Sequence, residues 1–281
     1  MDVMRDAGAA PGDAAADDAA GWNARGARVG APSLGLLLTE PARSVADLAR
    51  LPLASSWLRF APRGDGHGVL VLPGLLASDA STVVLRRFLL LLGYQVRGWD
   101  LGRNLGPTAD VLDGLPAQVA ALVGLTAGPV SVIGWSLGGI YARELARQQP
   151  AQVRRVITLG SPFALTDGRQ SYADRAYQRR SALHANGRVP TREELSQPIG
   201  VPSTSVYSRR DGIVAWRACI EPETDLHQNV EVRCAHLGFG VDPATLWLIA
   251  DRLALPAADR KKFRPPVPLQ SLYRVRDERE E

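Results

Sequence analysis

The sequence predicts an α/β fold with a mostly parallel central sheet and helices on both faces. Short apolar runs rich in β-branched residues alternate with longer segments of helical spacing. Strands and helices that alternate at these lengths form βαβ units. The composition, with 46% hydrophobic and 22% charged residues, is that of an ordinary globular protein. At 281 residues the chain is long enough to bury a substantial single core.

The elements of this fold can be placed in order along the chain. Strands are predicted at 67–73, 94–101, 129–135, 153–163, 203–208 and 229–235. Helices are predicted at 82–92, 108–125, 137–148 and 243–254, and Pro116 is expected to weaken or divide the second of them. Before the first strand, "SLGLLLTEPARSVADLARLPLASSWLR" predicts one or two short amphipathic helices that pack against the domain, with Pro41 in a first turn.

Three segments lie outside this regular pattern. Residues 1–30 consist mainly of Ala, Gly and Asp and are predicted to be disordered, which leaves 31–255 as the folded domain. Residues 256–281 are predicted to form a charged C-terminal tail. The insertion at about 164–202 is polar and arginine-rich. Because a structureless loop of that length is unusual, we expect a helical lid over an active site.

Charge and hydropathy exclude several classes of function. The net charge is +4, but the only lysines are Lys261 and Lys262, and the arginines are scattered without a basic run, so no nucleic-acid partner is expected. The N-terminus lacks the pattern of a signal peptide, and "FLLLL" at 88–92 is too short to span a bilayer. We expect a soluble, cytoplasmic protein without stable membrane insertion. Cys219 and Cys234 could form a disulfide or remain two buried thiols.

The stretch "VSVIGWSLGGIYAR" places a serine between a buried strand and a helix. Ser136 is flanked at two residues on either side by Gly134 and Gly138, where a Cβ would clash in a tight strand-to-helix turn. Two later strands are followed by Asp211 and His236. The carboxyl ends of parallel strands share one edge of the sheet, and ligands bind there.

A serine hydroxyl needs a base to remove its proton, and a histidine oriented by a carboxylate is such a base. Asp167, after the preceding strand, and Asp225 are alternatives to Asp211 as the acid. Asp211 could also form only a turn with the glycine that follows it. The other histidines lie before strands or in the insertion (His67, His184 and His227). Ser161 also follows a strand, but no helix directly follows it, so we expect it to pack or to form a turn.

The segments "LVLPGLLAS", "GWSLGG", "TLGSPF", "YSRRDGIVAW" and "AHLGFG" resemble the α/β-hydrolase fold family, specifically its lipases and esterases, in the order typical of that family. The resemblance covers about residues 67–254. It implies that Ser136 is the nucleophile, His236 the general base and acid, and Asp211 the orienting carboxylate.

The same resemblance implies an oxyanion hole formed by the backbone N–H groups of Leu137 and Leu75. Many members of the family have His-Gly where this chain has Pro73-Gly74, which leaves Leu75 and Leu76 as alternative donors. Leu76, Trp99 and Asn104 are expected to contact the substrate.

We therefore expect a hydrolase that cleaves carboxylic esters through an acyl-enzyme, without a metal or other cofactor. Its substrate would be a small-molecule or lipid ester, and the leucines near the proposed oxyanion hole favour an apolar acyl group. Two alternatives remain at this stage. The first is an acyltransferase or thioesterase on the same scaffold, and the second is a catalytically silent protein of this fold that serves as a binding protein.

Overall fold

The structure is a computed structural model that describes residues 30–164, 170–184 and 190–275. Nearly all of the N-terminal segment that the sequence predicts to be disordered lies outside these residues. The strands are β1 (Gly68–Leu72), β2 (Gln95–Gly98), β3 (Val130–Trp135), β4 (Val153–Leu159), β5 (Ser203–Tyr207), β6 (His227–Glu231) and β7 (Arg274–Val275). The α-helices are α1 (Leu34–Ala49), α2 (Leu51–Leu58), α3 (Val83–Leu91), α4 (Ala109–Thr126), α5 (Leu137–Gln148), α6 (Asp174–His184), α7 (Arg192–Ser196) and α8 (Pro243–Ala254).

The strands form one sheet in the order β2-β1-β3-β4-β5-β6-β7. Neighbouring strands are parallel from β2 to β6, and only β7 is antiparallel to its neighbour. This arrangement confirms the predicted fold class. Because β1 lies between β2 and β3, the strand order reverses direction at β1, and the carboxyl ends of β1 and β3 flank the crevice where ligands of such sheets bind.

Helices cover both faces of the sheet. Val69 and Val71 of β1 pack in one apolar core with α2, α3 and α8, whereas Leu70 and Leu72 pack in the other with α4 and α5. This alternation follows from the period of two in a β-strand. Because both faces are covered, β1 and β3 read as nearly continuous apolar runs.

The prediction that Pro41 lies in a first turn is wrong, and Pro116 does not divide its helix. Pro41 lies inside α1 rather than in a first turn, and Pro116 lies inside an undivided α4. A proline in a helix interior removes one backbone hydrogen bond and crowds the preceding turn. In α4 the buried stripe of Val111, Leu115 and Val119 packs on the sheet on both sides of Pro116, and this packing holds the helix together.

The segment after α8, which the sequence predicts to be a charged tail, packs against the domain as far as residue 275. Phe263 and Tyr273 are buried and in edge-to-face contact, and β7 extends the sheet beyond β6. Cys219 and Cys234 are both free and buried, so they form no disulfide. In the described ranges, no helix is long and apolar enough to cross a membrane.

Candidate active site

The turn between β3 and α5 holds Ser136 in a strained backbone conformation. Ser136 has φ 53° and ψ −119°, which residues with a side chain rarely adopt. A Cβ on Gly134 would lie 2.2 Å from the carbonyl oxygen of Gly138, and a Cβ on Gly138 would lie 2.4 Å from that of Leu72. Only glycine fits at these two positions, as the sequence predicts. The turn leaves the Ser136 side chain partly exposed at the carboxyl edge of the sheet.

Asp211 and His236 form a buried pair. His236 Nδ1 lies 2.6 Å from Asp211 Oδ2. Asp211 Oδ1 accepts hydrogen bonds from the N–H groups of Ile213 and Val214 at 2.8 and 2.7 Å. The two residues meet because they follow β5 and β6, which are adjacent parallel strands. The carboxylate is therefore fixed by its own loop and directed at the imidazole.

The environment of His236 raises its pKa. Burial by itself would lower this pKa, because the charged imidazolium loses its hydration. The negative charge of Asp211, the hydrogen bond to it and the charge of Glu40 outweigh burial, and the pKa of His236 lies above its ordinary value of 6.5. This environment favours the protonated imidazole that forms when a histidine removes a proton from a serine.

The Asp211–His236 pair is fixed close to the serine turn. Trp135 donates its indole N–H to the carbonyl oxygen of His236 at 3.1 Å, and Ser136 is the next residue. A Cβ on Gly160, at the end of β4, would lie 3.1 Å from both Asp211 Oδ2 and His236 Nδ1. Within the described residues, the Ser136 hydroxyl forms no hydrogen bond with His236. In ligand-free sites such contacts are often long and tighten when substrate binds.

The turn after β1 supplies a candidate oxyanion donor. Leu76 has φ 65°, and its N–H donates to the carbonyl oxygen of Asn104 at 2.7 Å. The Asn104 side chain donates to the carbonyl oxygen of Pro73 at 2.9 Å. Since the Leu76 N–H is engaged, Leu75 is the better placed of the two alternative donors: its N–H bonds to no other group in the described part of the chain.

The Leu75 turn and the start of α5 lie side by side. A Cβ on Gly74 would lie 3.2 Å from Ser136 Cβ, so the residue before Leu75 is in close contact with the serine. Leu137 is the first residue of α5, and first-turn N–H groups of a helix have no acceptor within that helix. The strand order, the serine turn after β3 and the pairing of the residues after β5 and β6 together define the fold. It is that of the α/β-hydrolases.

Solved structures of this fold resemble the chain over about two thirds of its length. Aspergillus fumigatus lipase B is 15% identical over 68% of this chain and 53% of its own, with a TM-score of 0.48. The chain thus spans about half of that lipase. A thioesterase domain from the curacin biosynthetic pathway is 15% identical over 68% of this chain and 92% of its own, with a TM-score of 0.42. A pyrethroid hydrolase is 17% identical over 69% of this chain and 100% of its own, with a TM-score of 0.48.

No family model matches the sequence. No curated protein matches it either.

A cleft of about 100 Å³ opens in front of Ser136. Its inner wall, on the hydrolase core, is largely apolar and consists of Leu75, Leu137, Ile140, Phe163 and Ala164. The opposite wall comes from the described part of the insertion, including Tyr177 of α6 and Leu195 of α7. Residues of the insertion thus form part of the cleft wall, although the sequence did not indicate which of them face the cleft.

The three residues expected to contact substrate do not line this cleft. Trp99 is fully buried and donates its indole N–H to the carbonyl oxygen of Gly102. Asn104 is also fully buried, and its bonds brace the turn that carries Leu75. Leu76 is half-exposed, with its N–H directed at Asn104. All three residues follow a strand as predicted, but a residue at the end of a strand can support a loop instead of lining a cleft.

The other histidines lie away from the cleft or outside the description. His67 contacts Ser131 at the opposite end of the strands. His227 begins β6, and its Nε2 lies 2.9 Å from the carbonyl oxygen of Ile199. The side chain of His184 lies outside the described residues.

The structure describes one of the two alternative acids and also the second serine that follows a strand. Asp225 is exposed in the turn before β6, and Asp167 lies outside the described residues. Ser161 is fully buried, and a Cβ on Gly139 would lie 2.0 Å from its hydroxyl oxygen. Ser161 thus packs under α5, as expected from the sequence.

Two acidic residues of α1 lie at the site, although no motif in the sequence predicts their place there. Glu40 accepts a hydrogen bond from the N–H of Leu237, and Asp47 from that of Ala235. The sequence feature that could have predicted their position is their helical spacing, which puts both acids on one face of α1 and its exposed leucines on another. That pattern alone does not indicate which face is buried.

Proposed function

We propose that the chain is a serine hydrolase that cleaves carboxylic esters through an acyl-enzyme on Ser136. The observation that carries this proposal is the buried Asp211–His236 pair, held beside the strained turn that presents Ser136. A serine in this conformation, next to a base oriented by a carboxylate, is an arrangement for nucleophilic catalysis.

In the first half-reaction, His236 Nε2 removes the hydroxyl proton as Ser136 Oγ attacks the ester carbonyl carbon. The carbonyl oxygen then carries the negative charge of the tetrahedral intermediate. The N–H groups of Leu75 and Leu137 are assigned to this oxygen, and losing one such donor typically costs about 3–4 kcal/mol of transition-state stabilisation. When the intermediate collapses, the C–O bond to the alcohol breaks, and His236 returns its proton to the departing alkoxide.

In the second half-reaction, water attacks the acyl-enzyme and gives its proton to His236. The second tetrahedral intermediate releases the carboxylic acid and restores the Ser136 hydroxyl with that proton. Throughout, Asp211 keeps the imidazole in the tautomer that can accept a proton at Nε2 and stabilises the imidazolium.

The cleft favours an ester with an apolar acyl group. Its inner wall presents aliphatic and aromatic side chains directly beside Ser136. Its volume of about 100 Å³ is below the roughly 300–1,000 Å³ of sites for drug-sized ligands. A long acyl chain therefore requires α6 and α7 to move away from the core, and we assign the insertion the role of a lid.

The decisive experiment replaces the nucleophile. Ser136→Ala should abolish both hydrolysis of short p-nitrophenyl esters and labelling by a fluorophosphonate probe, because it removes the hydroxyl that the strained turn after β3 presents. Ser161→Ala is the matched control and should still be labelled, since Ser161 is buried under α5. Wild-type turnover by Ser136→Ala would disprove the assignment.

Two further outcomes would change the proposed activity. If an added alcohol or thiol captures the acyl group in preference to water, the product analysis identifies an acyltransferase on this scaffold. If a panel of esters and thioesters shows turnover of thioesters alone, the enzyme is a thioesterase. If the folded wild-type protein does not react with the probe at all, the chain is a binding protein with a hydrolase fold.

A further inference from the structure

Helix α1 has the opposite amphipathicity to that of an ordinary surface helix. Its most buried side chains are two acids, Glu40 and Asp47, each 2% exposed. Three of its large aliphatic side chains are exposed instead: Leu34, Leu38 and Val45. A surface helix normally buries its apolar face, and a buried carboxylate is costly unless it is paired. The contacts of the two acids must therefore account for the way α1 is docked.

Glu40 joins the loop of the candidate acid to the loop of the candidate base. Its Oε2 accepts the N–H of Gly212 at 3.0 Å, and its Oε1 accepts the N–H of Leu237 at 2.8 Å. Gly212 directly follows Asp211, and Leu237 directly follows His236. Arg43, one turn further along α1, lies 2.8 Å from Oε2 and supplies the opposite charge. A single carboxylate thus connects the backbones that carry both members of the pair.

Asp47 holds the other side of the histidine loop. Its Oδ2 accepts the N–H of Ala235, the residue before His236, at 2.8 Å. A Cβ on Gly238 would lie 2.3 Å from the same oxygen, and a Cβ on Gly212 would lie 2.4 Å from the carbonyl oxygen of Leu36. Both loops therefore approach α1 closely, and only glycine fits at position 212, where a Cβ would collide with the helix backbone.

We propose that α1 is part of the catalytic apparatus, with Glu40 as the positioning residue that fixes the loops of Asp211 and His236 relative to each other. This inference rests on the proposed esterase function. Glu40 does not touch the reacting atoms. It acts by holding the Asp211–His236 hydrogen bond in place beside the turn that carries Ser136, and errors of about 1 Å at such sites can cost on the order of 100-fold in rate.

The charges around His236 supply an independent readout of this role. Asp211 faces the imidazole from the loop after β5, and Glu40 and Asp47 approach from α1, paired with Arg43 and Arg50 respectively. From the sheet side, Trp135 and Gly160 bring no charge. Glu40 adds to the attraction that raises the pKa of His236, so removing its charge should lower that pKa.

The test compares Glu40→Gln with Glu40→Asp across a pH profile, with rates expressed per active site titrated by a p-nitrophenyl ester burst. Glutamine keeps the size of the side chain but offers only one acceptor oxygen and no charge. We expect kcat/KM at pH 8 to fall about 10- to 100-fold. The acidic limb of the profile should move to lower pH, because loss of the Glu40 charge lowers the pKa of His236. Aspartate keeps the charge but not the reach, so its kcat should fall while its acidic limb stays closer to that of the wild type.

Glu144→Gln on α5 is the matched control, because Glu144 is a partly exposed partner of Arg147, and its profile should match that of the wild type. The inference is overturned if folded Glu40→Gln keeps the wild-type profile. It is also overturned if both Glu40 variants lose rate only in proportion to a lower melting temperature, with an unchanged acidic limb. An inert wild type, by contrast, refutes the esterase proposal itself, and an active wild type with an inert Ser136→Ala upholds that proposal whatever Glu40→Gln does.

Discussion

Glu40 and Glu221 are both buried carboxylates that pair with an arginine, but they hold different parts of the molecule. Glu40 lies 2.8 Å from Arg43 and otherwise bonds to backbone N–H groups of the loops that carry Asp211 and His236. Glu221 lies 2.7 Å from the fully buried Arg143 of α5. Its other oxygen accepts the hydroxyls of Ser203 and Ser205 in β5, at 2.5 and 3.1 Å.

Arg143 extends the second cluster to the insertion. Its guanidinium donates to the carbonyl oxygen of Gln197, just after α7, at 2.9 Å, and lies 3.9 Å above the ring of Phe163. The Glu221 cluster therefore joins α5, β5 and the base of the insertion. The comparison shows that the same ion-pair chemistry can order reactive groups in one place and secure a scaffold in another. The role of each carboxylate depends on its other hydrogen-bond partners, which are loop N–H groups for Glu40 and strand hydroxyls for Glu221.

The largest difference between the region around Glu40 and the Glu221 cluster should be the effect of a substitution on ester turnover. Asp211→Asn removes the charge that stabilises the imidazolium and favours the wrong tautomer of His236, and an acid-to-amide change in a serine triad lowers kcat by about 10⁴-fold. Ester turnover and urea denaturation measure activity and stability on the same samples. Asp167→Asn is the control and should keep wild-type turnover, and a loss of kcat confined to Asp167→Asn would transfer the role of acid to that residue.

The next largest effect should appear in stability. Glu221→Ala leaves Arg143 buried without its counter-charge, and breaking a buried pair in this way lowers the free energy of unfolding by about 3–5 kcal/mol. Urea denaturation followed by circular dichroism measures this loss. Glu144→Ala, which removes a partly exposed ion pair on the same helix, should cost less than about 1 kcal/mol. Equal losses in the two variants would contradict a structural role for the Glu221 cluster.

The smallest effect should be a difference between the pH ranges in which Glu221 and His236 contribute to the free energy of unfolding. Burial raises the pKa of Glu221, but the charges of Arg143 and His227 and the hydrogen bonds to Glu221 outweigh burial and leave this pKa below its ordinary value. The stability that Glu221 contributes is thus present above about pH 4.5 and lost as the pH falls through the folded pKa.

His236 behaves in the opposite way, because its pKa is raised in spite of burial. Its contribution is complete below about pH 6.5 and is lost as the pH rises through the folded pKa. We expect Glu221→Gln to reduce the loss of unfolding free energy at acidic pH. Glu40→Gln should reduce the loss of unfolding free energy near neutral pH. Each reduction should be up to about 1.4 kcal/mol for each unit of pKa shift that the substitution removes. Urea titrations between pH 3 and 8 measure both, and identical profiles for the two variants would contradict the comparison.

The accuracy of the sequence predictions differs between elements for physical reasons. The helix predicted at 137–148 is α5, with the same bounds, because its start is set by a serine turn that only glycines permit. The last predicted strand, 229–235, begins two residues later than β6, because buried polar residues at its start do not show the apolar pattern of a strand. The segment predicted as a tail contains β7, since two aromatic residues in a charged stretch are enough to dock it.

The sequence by itself determined the alternation of strands and helices, the turn at Ser136 and the candidate acid and base after later strands. These features depend on local sterics and on hydrophobic periodicity, which are properties of short stretches of chain. Only the tertiary structure decided that His236 faces Asp211, that Trp99 and Asn104 are buried away from the cleft lining, and that α1 turns its acids inward. Those outcomes depend on contacts between residues far apart in sequence, and no local pattern specifies which polar groups meet once the chain has folded.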